Sequence, residues 1–120
     1  MLGEGFIWVT LQKEGIHKYK DAPDEVSFLR NKHRHIFHFK VHLEIFHDER
    51  DVEFIMFKRD IQRYLDSMGK DFNNKSCEML ADDIFNYFKS FNKYEGRTLV
   101  VNVSEDNENG IEKKYNIPSQ

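Results

Sequence analysis

Across residues 36–46 the apolar side chains Phe37, Phe39, Val41, Leu43 and Ile45 alternate with His38, Lys40, His42 and Glu44. Successive side chains of a strand point to opposite faces, so this period of two predicts a half-buried strand with one core face and one polar face. The apolar face needs a cover, and the sequence that follows supplies it. After a polar turn at 47–51, Phe54, Phe57, Ile61 and Leu65 recur at helical spacing, with Lys58, Arg59, Gln62 and Arg63 between them. Gly69 can end that helix. Ser76 is placed to cap a second one, with Glu78 in the first turn, where an acid favours the helix dipole, and Leu80, Ile84, Phe88 and Phe91 form its apolar stripe.

Three further strands flank this unit. Residues 6–12 are rich in β-branched and aromatic side chains, and residues 98–105 place Leu99, Val101 and Val103 on one side. A turn at 107–110 leads into a short last strand at 111–115, followed by a frayed tail. Residues 13–31, with Gly15, Pro23 and unpatterned charges, read as the end of the first strand followed by a long loop of the kind that often carries function. The order is ββααββ. This is an α+β class in which a four-stranded antiparallel sheet carries two helices on one face, as a single domain over residues 1–120 with its core at about 6–115 and a tail at 116–120.

Charge and composition narrow the partners. With 18 basic and 21 acidic side chains the formal net charge is −3, so no global positive field gathers a polyphosphate, and nucleic acid is not the expected partner. Hydrophobic residues make up 39% of the chain, 11 of them Phe, which is enough for a core. Charged residues interrupt every apolar run before the roughly 18 residues of a membrane span. The one cysteine, Cys77, has no partner for an intramolecular disulfide, and the first residues lack a signal-peptide pattern. The expectation is a soluble, cytoplasmic protein.

Six histidines stand at 17, 33, 35, 38, 42 and 47. His33 and His35 are two apart at the entrance of the central strand, on the same side as Phe37 and Phe39. Two imidazoles side by side make two corners of a metal site, and His17, at the far end of the neighbouring first strand, is placed to be the third. Catalytic zinc takes about three such ligands and keeps one position open. The alternative is that 30–35 is simply a solvated basic patch. His38 and His42 fall on the polar face of the strand and read as exposed surface residues.

At this point the chain resembles a family. The tunnelling-fold enzymes that include 6-pyruvoyltetrahydropterin synthase and 6-carboxytetrahydropterin synthase have ββααββ subunits, a His about fifteen residues before a His-x-His pair, and a Glu ending a late strand. The matching pieces here are Gly15-Ile16-His17, Lys32-His33-Arg34-His35, Leu43-Glu44-Ile45, Val52-Glu53-Phe54 with Phe57-Lys58, Ser76-Cys77-Glu78-Met79-Leu80-Ala81, and Val101-Asn102-Val103-Ser104-Glu105 before Gly110 and Tyr115. The resemblance implies zinc on His17, His33 and His35. It also implies that Glu105 anchors a pterin by accepting from the ligand's amino and ring N–H groups, a two-donor edge that guanine shares.

The departures matter as much. The family's proton-transfer cysteine, a few residues before the His-x-His pair, has no counterpart in 26–32, and where an Asp-His pair normally follows the first helix, Asp71 is followed by Phe72. Cys77 and Glu78 fall in the motif that holds the family's ligand, at a place where the family usually has threonine. They are candidate ligand contacts, with Cys77 also readable as a small packing residue. General acid–base groups contribute about 10² to 10⁴ in rate, so a standard activity would need a substitute base such as Asp71, Asp24 or Glu25.

Two classes of function follow. One is a zinc-dependent pterin synthase-like lyase. The other is a non-catalytic protein that binds, senses or sequesters a pterin, a guanine-type base or a nucleotide, or an oligomeric interaction protein of a kind that a viral origin would suit. Both imply a homo-oligomer, because so short a sheet leaves edges that such folds close into a barrel.

Overall fold

The computed structural model describes residues 1–119. Two long antiparallel strands, β1 (Gly5–His17) and β2 (His33–Ile45), form its centre. Helix α1 (Phe54–Ser67), a three-residue strand β3 (Asp71–Asn73), helix α2 (Cys77–Phe88) and the hairpin of β4 (Thr98–Glu105) and β5 (Asn109–Asn116) follow. Short 3-10 turns occupy Asp24–Arg30 and Asn92–Tyr94. The sheet order is β3-β1-β2-β4-β5, antiparallel throughout except where β3 runs parallel to the end of β1. The class is α+β, and the alternation at 36–46 does what its period requires.

Phe37, Phe39, Val41 and Leu43 of β2 are buried beside Leu99, Val101 and Val103 of β4 and Val9 and Leu11 of β1. Against this face lie Phe57, Ile61 and Leu65 of α1 and Leu80, Ala81, Ile84 and Phe88 of α2, all essentially inaccessible to water. Burying one such side chain is worth roughly 1.5–3 kcal/mol, so this two-layer contact is the main source of cohesion. Both helices begin on side-chain caps: Glu53 accepts from the Met56 N–H and Ser76 from the Met79 N–H. One charge goes inside with them. The Asp60 carboxylate, 2% exposed, accepts from the Tyr94 hydroxyl at 2.5 Å, from Lys93 at 2.8 Å and from Arg63 at 3.0 Å. Burial pushes this carboxyl up, but the Lys93 and Tyr94 hydrogen bonds outweigh it and leave it below the ordinary range.

Several features differ from the sequence expectation, and three of them shape the site and the core. β1 does not stop at Gln12 but pairs with β2 residue by residue to His17, opposite His33. Residues 13–17 carry a weak strand pattern, and the long partner strand overrides it. The sheet also gains a fifth strand, β3, whose Phe72 lies over Gly15. A Cβ at Gly15 would sit 2.3 Å from the Phe72 ring, so glycine is what allows this approach. At the other end the chain does not fray at 116: Ile117 is 1% exposed, and its N–H donates to the Arg97 carbonyl. Of the expected tail, Gln120 lies outside the described residues.

Candidate functional site

The register of β1, β2 and β4 brings four potential ligands to one end of the sheet. His17 is directly opposite His33, His35 follows two residues along the same face of β2, and Glu105 of β4 is opposite Phe37 on that face. One nitrogen or oxygen from each of His17, His33, His35 and Glu105 lies within 4.8 Å of all the others. The three ring centroids are 4.6, 5.3 and 5.0 Å apart. Beneath them Phe37 meets the rings of His17 and His35 edge-on and is itself backed by Phe72, giving the cluster an apolar floor.

The outer nitrogens of the rings are all engaged. His17 Nδ1 donates to the Lys75 carbonyl at 2.8 Å, and His33 Nδ1 to the Asn31 carbonyl at 2.8 Å. His35 Nδ1 donates to the Asp106 carboxylate at 2.7 Å. Carbonyls and ionised carboxylates only accept, so each Nδ1 carries a proton, and in the neutral ring each Nε2 is a bare lone pair. Glu105 Oε2 stands 2.8 Å from His17 Nε2 and 3.2 Å from His35 Nε2. Yet both of these buried nitrogens lack a hydrogen-bond partner of acceptable geometry. At these distances a missing hydrogen bond means that the in-plane axis of each Nε2 passes beside the carboxylate oxygen rather than ending on it, which leaves the nitrogens and the carboxylate around a shared space that a cation can occupy. Nδ1 held by an acceptor with Nε2 turned inward is the outer-shell pattern of metal-binding histidines. The four residues can hold a metal ion.

A cavity of about 500 Å³ opens beside the cluster, a size that suits a small molecule. His17, His33 and Glu105 line it, and Tyr19, Leu29 and Met79 add apolar surface. Cys77 and Glu78 at the start of α2 also line it. Cys77 is 8% exposed, and burial, followed by the charges of Glu105 and Glu78, pushes its thiol up to about 12. It is therefore a neutral wall at ordinary pH, and α2's N-terminus does not turn it into a thiolate.

Asp71 is elsewhere. It sits on β3 with its carboxylate 2.5 Å from Lys32 Nζ, outside the residues that line the cavity, and the Lys32 hydrogen bond holds it below the usual carboxylate range. His38 and His42 project from the other face of β2, where burial and then Lys40 lower His42. His47 lies by Asp51 at 3.4 Å. Sequence reasoning missed Asp106. Its signal was the Asp106-Asn107 pair, a combination that tolerates left-handed backbone, and both residues do have positive φ, 54° and 59°.

No family model matches the sequence, and no curated protein matches it. Among solved structures, Caenorhabditis elegans 6-pyruvoyl tetrahydropterin synthase is similar, with a TM-score of 0.71 at 16% sequence identity, covering 94% of this chain and 96% of that one. Nearly the whole chain therefore shares the tunnelling fold of that synthase.

Proposed function

We propose that this protein is a divergent relative of the 6-pyruvoyl- and 6-carboxytetrahydropterin synthases that holds zinc on His17, His33 and His35 and binds a flat pterin or guanine-type heterocycle in the adjoining cavity. The observation that carries the reading is the set of three imidazoles, each with its Nδ1 engaged by an acceptor, whose ligand atoms lie within 4.8 Å of one another and of Glu105. Nitrogen-rich tetrahedral ligation is what zinc takes. When bound there, the ion would polarise a ligand hydroxyl or carbonyl oxygen.

The chain's own residues do the rest. Glu105 is 28% exposed at its side chain and lines the cavity, so its carboxylate can accept two N–H groups from the edge of a pterin or guanine. Tyr19, Leu29 and Met79 offer apolar surface to a ring face. Binding is favoured over turnover by the state of the groups that would move protons: the Cys77 thiol is neutral, and Asp71 is tied to Lys32 away from the cavity. The lyase reading needs a base from elsewhere in the chain, and Asp24, its carboxylate ion-paired with Arg30 at 2.7 Å, is not a free one.

A homo-oligomer belongs to this reading. Among the described residues β3 covers β1 only at Ile16 and His17, and β5 has a neighbour on one side alone. Two such open edges invite a second copy. None of the described helices is long and apolar enough to cross a membrane, and a free Cys77 suits a reducing, cytoplasmic setting.

The test is a fluorescence titration of zinc-loaded protein with neopterin and with guanosine, repeated on Glu105→Gln. Saturable binding that Glu105→Gln weakens at least about tenfold supports the pocket assignment, since one lost charge-assisted pair is worth about 1.5–3 kcal/mol. Absence of binding by both compounds overturns it.

A further inference from the structure

Of the three histidines, His17 and His33 are held by main-chain carbonyls, which no substitution removes, whereas His35 is held by a side chain. That side chain is itself tightly fixed. Asp106 Oδ2 accepts from His35 Nδ1 at 2.7 Å, Asp106 Oδ1 accepts from the Ile36 N–H at 2.9 Å, and the Asp106 N–H donates to the Ile36 carbonyl at 2.8 Å. The residue opens the β4–β5 turn with φ of 54°, a conformation that Asp tolerates better than most. The turn is thereby strapped to β2 immediately beside the ligand it orients, and Glu105 is its neighbour in the chain.

We propose that Asp106 is a positioning residue for the metal centre: its carboxylate fixes the His35 ring with the proton on Nδ1 and Nε2 free to bind. The inference rests on the metal reading above. It places two adjacent residues on opposite sides of one imidazole, Glu105 at Nε2 and Asp106 at Nδ1. Both are set by the same turn, so the hairpin and not the β2 strand alone determines the orientation of His35. Asp106 itself stands outside the group of metal-binding atoms and does not line the cavity.

Asp106→Asn separates this role from a merely structural one. The amide retains an oxygen for the Ile36 N–H and tolerates the left-handed backbone, but it turns an N–H toward His35 Nδ1. The ring is then driven to carry its proton on Nε2. Two readouts follow, the zinc dissociation constant by competition with a chromophoric chelator and the His35 tautomer by ¹⁵N NMR of the metal-free protein.

The expected result is a folded Asp106→Asn protein with zinc affinity reduced about 10- to 100-fold, the usual cost of losing such a partner, and a His35 proton moved from Nδ1 to Nε2. Asp106→Gly, which also accepts the left-handed turn, should show the same loss of affinity. Wild-type zinc affinity retained within about twofold in both variants, where a true outer-shell partner gives far more, overturns the proposal alone. A wild-type protein that takes up no zinc overturns the metal reading and this proposal with it.

Discussion

Glu105 Oε2 lies 2.8 Å from His17 Nε2, and the two do not form a hydrogen bond. With the His17 proton on Nδ1 and the Nε2 axis turned past the carboxylate, no proton lies between the two atoms. The site is complementary to a cation and unfavourable to itself without one, and this asymmetry yields a direct expectation. Glu105→Gln removes a negative charge from beside the proton-free Nε2 of His17, so it should raise the melting temperature of the metal-free protein. The same change should shrink the stabilisation that zinc confers, which for wild type reaches about 2.7 kcal/mol at free metal one hundred times the dissociation constant. Thermal melts with and without zinc measure both halves, and a metal-free Glu105→Gln protein less stable than wild type would contradict this reading of the contact.

A second expectation concerns acid. Arg97 donates to Asp51 at 2.7 and 3.2 Å from its two terminal nitrogens and stacks on Phe46. The hydrogen bond from Arg97, against some opposing burial, holds the Asp51 carboxyl at about 2. An unfolded Asp titrates near 3.8, so the folded state binds this proton less readily. The resulting stability is fully present above about pH 4 and is lost as pH falls from there toward about 2. With the side chain 11% exposed, its size is on the order of 1–2 kcal/mol. Asp51→Asn should flatten that part of the stability-versus-pH curve, and an unchanged slope between pH 4 and 2 would show that Asp51 is not its source.

Gly15 supplies a third. Because a Cβ would lie 2.3 Å from the Phe72 ring, Gly15→Ala must displace Phe72, which packs beneath the histidines through Phe37. Overpacking of this kind costs about 1–3 kcal/mol. The variant should unfold at lower denaturant and bind zinc more weakly, whereas Gly15→Ala combined with Phe72→Leu should recover part of both. Full wild-type stability in the single variant would mean that β3 is not seated as described.

The sequence carried the parts of this architecture whose signals are local and periodic. The alternation at 37–45, the stripes from Phe57 and Leu80 and the Ser76 cap each specify an element without knowledge of its neighbours. The end of β1 was not legible, because residues 13–17 become a strand only when the 33–37 segment lies opposite them. β3 was equally hidden, its three residues being held by a parallel pairing and a glycine contact rather than by pattern. At the site, the His17, His33 and His35 set was visible as spacing plus face. The position of Glu105 inside the cluster was not, since it follows from the β2–β4 register that sets Glu105 opposite Phe37. Asp106 depends on that same register together with a positive-φ turn, so no single stretch of sequence announces it.

The most direct test of the central claim is metal content by mass spectrometry on untagged, size-fractionated protein, wild type against a His33→Ala, His35→Ala double variant. Wild type should carry close to one zinc per chain, and the variant should lose it at unchanged oligomeric size. A folded wild-type protein without zinc, or a double variant that retains it, would contradict the assignment of the metal to these histidines.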